Sequence, residues 1–410
     1  MSQILYFVGA GLSKALAQST HPVPGMVDFV STCAEYISDD VILTTLTELE
    51  RCEPYPYLWD SPSTVVLADR MLQQRRQNAS IDPIVRQEFA RALRNRPAES
   101  IEDLLDRTGR NNCNRSSLDA DERFRFAIRR VFTLIGWNVD WCPLTSFLRR
   151  QFALADSSHT FVSFNYDLVL ERGIQLVDEG KVNLAGMYGF TITWQAHGDP
   201  PFTNGRRGGV PVVSLDAEGI GTHPYVLKPH GSLNWLVPIE GHYDPSRSDE
   251  LRQGKSVILA VGDNGAFHYP AYYPTPSGEL YGCHEVQLPH ELSGGVIGAT
   301  MATEPVILAP RGRKKPERQF LRDVREREEA AVREADEVYI LGWSIPRTDT
   351  DQEYAIRHVV GKRAKPFQQV TAVNFHADVE YYSRVQDIFQ AGRNIMRVQN
   401  AGFREFAATG

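Results

Sequence analysis

Residues 4–8 form a continuous apolar run, Ile-Leu-Tyr-Phe-Val, that stops at Gly9-Ala10-Gly11-Leu12-Ser13. No other feature constrains the fold as tightly. An unbroken apolar run of this length suits a strand buried on both faces of a parallel sheet. A glycine directly after it permits a sharp turn into a helix. Similar runs recur at 160–164, 225–227, 306–308, 338–341 and 370–373, with a weaker one at 395–398. Between two of the last runs, residues 316–335 read as a helix with Phe320, Val324, Ala331 and Ala335 on one face. Strand–helix alternation of this kind predicts an α/β fold, a Rossmann-like doubly wound parallel sheet.

Residues 41–150 break the pattern. They are rich in Arg, Asp, Glu, Leu and Ala, with one helical stripe at Phe124, Ile128, Val131 and Ile135 and another suggested by Ile101, Leu104 and Leu105. They read as a helical insertion, with 1–40 and 151–410 forming the nucleotide-binding core. Residues 196–222 and 239–300 are rich in Gly, Pro, His and Tyr, and read as long ordered loops or small subdomains, which in compact proteins tend to be functional. The basic run Arg311 to Lys315 precedes a helix nearly as acidic as it is basic, so a solvated face accounts for it better than a phosphate site.

Composition closes off several classes of function. A net charge of −7 over 410 residues supplies no global attraction to nucleic acid or anionic membranes, and no direct nucleic-acid binding is expected. The cysteines, Cys33, Cys52, Cys113, Cys142 and Cys283, form no CxxC pair and fit free thiols in a reducing compartment. No metal-ligand cluster is apparent. The N-terminus lacks the basic start of a signal peptide, and no apolar run approaches the roughly 18 residues that cross a bilayer. A soluble, cytoplasmic protein is the expectation.

Five short constellations follow the apolar runs. Gly9-Ala10-Gly11 with Ser13 would let backbone N–H groups approach a pyrophosphate at a helix N-terminus, although a GxG alone also fits a plain tight turn. Asn165 and Asp167 stand where the second run ends, as ligand groups or as an Asx cap. His230, in Lys228-Pro229-His230-Gly231-Ser232-Leu233-Asn234-Trp235, is matched to proton transfer near neutral pH but equally fits a structural histidine. Leu341-Gly342-Trp343-Ser344 and Val373-Asn374 close two later runs with glycine and small polar groups.

Taken in order, these pieces resemble the sirtuin superfamily, and most closely its bacterial NAD-cleaving members of antiviral defence. GAGLS is similar to the family's phosphate loop, FNYD to its Asn-x-Asp motif, KPHGSLNW to its His-Gly motif, LGWS to its Gly-x-Ser turn and VN to its adenosine-side pair. The resemblance implies that Gly9, Ala10, Gly11 and Ser13 cradle the pyrophosphate of NAD, the substrate. It implies that Asn165 holds a water or the ribose hydroxyls, that Asp167 contacts the nicotinamide end and that His230 is the general base. Gly342, Ser344 and Asn374 would line the adenosine side. The implied activity is NAD glycohydrolysis to nicotinamide and ADP-ribose, in a homo-oligomer working with a second defence component such as a HerA-type ATPase or a short Argonaute. Two alternatives stay open: an NAD- or ADP-ribose-binding scaffold for a partner ATPase, and an NAD-dependent deacylase. Against the deacylase, the four-cysteine zinc ribbon is missing and Phe164 stands where deacylases usually carry Gln.

Overall fold

The opening run becomes β1 (Ser2–Val8), whose last five residues are buried. In this computed structural model the described residues are 2–25, 28–39, 42–44, 46–47, 64–77, 80–95, 101, 125, 128, 131–132, 134–135, 138–178, 184–195, 210–215, 225–238, 254–255, 257–259, 273–274, 280–281, 295–297, 301–308, 318–346, 349–375, 378–392 and 395–409. The chain divides into two compact units, residues 1–18, 136–308 and 315–410 in one, and 19–135 with 309–314 in the other. Residues 19–40 thus fall with the helical unit and 136–150 with the sheet unit, where the sequence pattern puts the boundaries at 40 and 150.

The first unit is built on six parallel strands. Their spatial order is β14 (Met396–Gln399), β13 (Gln369–Val373), β12 (Glu337–Leu341), β1, β2 (Ser157–Ser163) and β5 (Tyr225–Leu227). Counted along the chain within this sheet, β1 sits between the later strands β12 and β2, the strand order reversing there as in doubly wound Rossmann sheets. The topological switch point lies between β1 and β12. Register then fixes where the motifs go: Val8 pairs with Ser163 and with Leu341, Leu341 pairs with Val373, and Val162 pairs with Leu227. Every sequence motif begins at or just past one of these residues, so the parallel ladder delivers all five to the same carboxyl edge of the sheet.

The helix Gln319–Glu334 lies within the segment expected to be helical and buries Phe320, Val324 and Ala331. Arg363 caps its C-terminal end, donating to the carbonyls of Val332, Arg333 and Ala335. Among the described residues, no helix is long and apolar enough to cross a membrane.

A second sheet lay outside the sequence expectation. It is antiparallel, in the order β10 (Gly295–Ile297), β11 (Met301–Ile307), β6 (Gly231–Pro238), β7 (Val257–Leu259), β4 (Val210–Leu215) and β3 (Phe190–Gln195). A two-stranded piece joins β8 (Tyr273–Pro274) to β9 (Leu280–Tyr281). The run at 306–308, expected among the parallel strands, belongs largely to β11 and pairs with β6 instead. A short apolar run does not reveal the direction of its partner, which explains the difference. From the segments 196–222 and 239–300, β4, β7 and β10 belong to this sheet and β8 and β9 form the separate pair; most of the rest of those segments, and the basic run at 311–315, lie outside the described residues.

The second unit contains helices at Phe29–Cys33, Thr64–Arg76 and Pro83–Arg94. Ile101, Ile128, Val131 and Ile135 are buried as the stripes predict, while Phe124, Leu104 and Leu105 lie outside the described residues.

At the amino end of the parallel sheet, the buried His159 ring has one nitrogen 3.0 Å from the Tyr6 hydroxyl and the other 2.9 Å from the Ser157 hydroxyl. Burial pushes its pKa from 6.5 down to about 4. The unfolded chain therefore takes up a proton at this residue between those values and the folded chain does not. Stability should fall as the pH drops below about 6.5 and this contribution should stop growing near 4. Thermal midpoints across that range should slope less steeply for His159→Gln than for the parent.

Candidate active site

At the switch point three glycines bring two chain segments into backbone contact. The Gly9 N–H donates to Leu341 O at 3.1 Å, and the Gly11 N–H donates to Gly342 O at 3.0 Å. A Cβ on Gly9 would lie 2.5 Å from the Trp343 Cα, and one on Gly342 would lie 2.6 Å from the Leu12 nitrogen. Gly342 also has φ +65°, a conformation open to glycine but strained for most residues. These glycines are thus required by the packing of the chain on itself. The N–H groups of Gly9 and Gly11 are already committed to it.

The helix Ala10–Leu16 begins at once, and its first turn aims Ser13 inward, fully buried. The Ser13 hydroxyl donates to Asp167 Oδ2 at 2.8 Å and accepts from Asn165 Nδ2 at 3.1 Å. Asn165 Nδ2 also donates to Gly9 O at 3.1 Å. A carbonyl can only accept, so the amide nitrogen must face it, and the amide oxygen of Asn165 is the group left for a ligand. The other oxygen of Asp167 accepts the Val169 N–H at 3.0 Å, capping the helix Val169–Val177 from within the turn. Burial raises the Asp167 carboxyl above its ordinary value; nearby Lys228 and the hydrogen bonds from Val169 and Ser13 pull the other way.

His230 occupies the turn between the last parallel strand, β5, and the first residue of β6. Gly231 closes that turn with φ +85° and an N–H to Lys228 O at 2.9 Å. A Cβ there would strike Val306 O at 2.0 Å, so no side chain fits beside the histidine. The buried His230 ring lies 5.1 Å from that of Phe164, which in turn lies 4.6 Å from Trp343. Phe164 thus joins the rings of His230 and Trp343 in one aromatic contact.

The remaining expected residues sit on the same edge but farther out. Ser344 is exposed on the turn after Trp343. The Trp343 carbonyl accepts the Tyr381 hydroxyl at 3.0 Å, and the Asn374 side chain also hydrogen-bonds to Tyr381. The structure therefore joins Gly9, Ser13, Asn165 and Asp167 in one hydrogen-bonded group, sets Gly11 and Gly342 against each other beside it, and leaves Ser344 and Asn374 on flanking turns.

Two residues escaped sequence reasoning. Lys228 and Glu171 form an ion pair at 2.9 Å with both side chains wholly inaccessible. Lys228 was visible as a charge directly after a buried strand, an uncommon place for lysine. Glu171 lies on a helix and carried no signal, since an isolated glutamate there normally faces solvent. Among the described residues no group of three or more metal-ligating side chains occurs.

No protein-family model and no curated protein matches the chain. Among solved structures it is similar to a Sir2 homolog in complex with NAD, at 10% identity and a TM-score of 0.36, covering 99% of this chain and 86% of that one. It is also similar to a Sir2 structure on the mechanism and regulation of those enzymes, at 11% identity and a TM-score of 0.35, covering 99% and 90%. A structure on sirtuin substrate affinity gives 9% identity and a TM-score of 0.37, with the same two coverages. At identities and scores of this size the likeness carries no chemical weight, and the chemistry of the site rests on the residues themselves.

Ser13→Ala should remove a buried donor to Asp167 and an acceptor for Asn165 together. Leaving such groups unmatched costs on the order of 1–3 kcal/mol. Denaturant unfolding of the variant beside the parent measures it, and an unchanged midpoint would show that the network is not formed.

Proposed function

We propose that this chain hydrolyses NAD at the nicotinamide–ribose bond, giving nicotinamide and ADP-ribose. The observation that carries the reading is the buried Ser13–Asn165–Asp167 group at the carboxyl edge of the sheet, beside the switch point where doubly wound folds take their ligands. The collinear motifs support the choice of NAD.

In the reaction the bond from C1′ to the pyridinium nitrogen breaks, its electron pair leaves with neutral nicotinamide, and a water oxygen bonds to C1′. The transition state has oxocarbenium character and favours nearby fixed negative charge. Asp167 suits that role: both its oxygens are held by protein donors, so it acts through its field and not as a mobile acid. Asn165 offers its amide oxygen to the ribose hydroxyls or to the attacking water. His230 takes the proton that water loses. Ser13, with its hydroxyl committed to Asp167, orients this pair in the proposal and does not bind phosphate. The turn that Gly9, Ala10, Gly11 and Gly342 hold in shape by backbone packing carries the pyrophosphate, and Ser344 and Asn374 flank the adenosine. The aromatic contact of Phe164 and Trp343 excludes water from the far side of the sugar.

The motif resemblance extends the proposal to a defence effector that stays silent until triggered and assembles with itself or with a second component such as a HerA-type ATPase or a short Argonaute. It rests on that resemblance alone.

Purified protein should release nicotinamide from NAD, alone or once lysate from phage-infected cells is added. Asn165→Ala and His230→Ala should each lower the rate by about 100-fold or more. Release that survives both substitutions would remove this site from the chemistry. NAD bound but never cleaved under any condition would favour the scaffold reading.

A further inference from the structure

The buried pair of Lys228 and Glu171 lies beneath the candidate site, and what its atoms touch is unusual for a stabilising ion pair. The Lys228 ammonium donates to Glu171 Oε1 at 2.9 Å, to the main-chain oxygen of Asp167, and to that of Tyr166 at 3.5 Å. Two of its three partners are therefore backbone groups of the very turn that carries Asn165 and Asp167. The main-chain oxygen of Lys228 meanwhile accepts the Gly231 N–H and closes the turn that presents His230. One residue grips both segments, one with its side chain and the other with its backbone.

A second donor reaches the same Glu171 oxygen. The Tyr188 hydroxyl donates to Glu171 Oε1 at 2.9 Å and lies 3.4 Å from Asn234 Oδ1, which also accepts the Ser232 hydroxyl at 2.6 Å. Burial, and then the Glu171 carboxylate, raises the Tyr188 phenol well above its ordinary range, so it stays a donor. The chain of contacts runs from the Asp167 turn through Lys228, Glu171 and Tyr188 into β6, the strand that starts beside His230. A fully buried ion pair commonly adds little net stability compared with apolar side chains of the same size, because both charges must be stripped of water. Its presence here calls for another reason.

We propose that Lys228 is a positioning residue that fixes the Asn165–Asp167 turn relative to His230, with Glu171 as the counter-charge that lets the ammonium remain buried. Its consequence for turnover rests on the NAD-cleavage reading; its consequence for the turn does not.

Lys228→Met alone leaves Glu171 as an uncompensated buried charge and should lower the thermal midpoint by about 5–10 °C. The double variant Lys228→Met/Glu171→Leu removes both charges and leaves Tyr188 its contact with Asn234. It should regain most of the lost midpoint. Amide hydrogen exchange should nevertheless be at least about tenfold faster at Val169 and Leu233, whose N–H groups are held by Asp167 Oδ1 and Tyr166 O, while β1 amides exchange as in the parent. Nicotinamide release by the double variant should fall at least about tenfold, mainly in kcat. Glu171→Gln, which leaves the Lys228 ammonium buried without its counter-charge, should lower the thermal midpoint as Lys228→Met does and speed exchange at the same amides.

A double variant that recovers midpoint, exchange and turnover together would overturn the proposal and make the pair structural only. So would a double variant with no cooperative transition, since the pair would then be a stability element. If the parent releases no nicotinamide at all, the NAD reading fails, and the exchange rates still decide the role of Lys228.

Discussion

The close approach of Gly9 and Gly11 to Gly342 is the contact on which the rest of the first unit depends. It is a backbone-to-backbone contact in which an added Cβ would lie closer than 3 Å to its neighbours. Because β1 and β12 meet there without side chains between them, the helix Ala10–Leu16 starts within two residues of the strand's end. That early start rotates Ser13 inward toward the end of β2, where Asn165 and Asp167 wait. A wider turn would carry Ser13 past them, and the polar group would lose its central hydroxyl.

The polar group also explains what the buried charges are for. An ionised carboxylate in apolar surroundings is unfavourable unless donors and a counter-charge support it. For Asp167, burial is the largest effect and, with Glu171, works against the charged form, while nearby Lys228 and the Val169 N–H and Ser13 hydroxyl on its oxygens work toward it. In such surroundings a charge acts over distance with little screening, which is what a site must offer to a developing cation. Perturbed, well-supported groups of this kind concentrate where chemistry is done more often than where a fold merely needs filling.

Much of this was legible in the sequence, and the limits have physical causes. β1, β5, β12 and β13 are apolar enough to be read directly, and parallel register then gathers Gly9, Asn165, His230, Gly342 and Asn374 on one edge without further information. The antiparallel sheet was not legible because β4, β7 and β10 lie inside stretches rich in Gly and Pro, and because a strand's own residues do not name its partner. Such segments take their conformation from partners distant in the chain. The role of Ser13 was half legible: a serine after GAG reads as a cap or phosphate ligand, and only the third dimension shows its hydroxyl committed to Asp167. Glu171 was illegible for the same reason, since its partner is 57 positions away and the helix pattern alone assigns it to solvent.

The geometry also bears on the choice between cleaving NAD and using it for redox. A dehydrogenase holds the nicotinamide intact and presents one face of its ring to a second substrate. The group assembled here would be of little use for that, because its fixed carboxylate and amide lie at the end of β2 with a histidine turn close by in the fold, an arrangement that favours positive charge on a sugar carbon. The third glycine of the dinucleotide fingerprint, which allows close packing of helix on strand, is absent: counted from Gly9, its place is taken by the exposed Lys14. In this chain the inward-facing Ser13 instead ties the helix to the end of β2 through hydrogen bonds. On the proposed reading, the first βα turn is thereby coupled to Asn165 and Asp167, so that holding the substrate and orienting its reacting carbon would become one structural event.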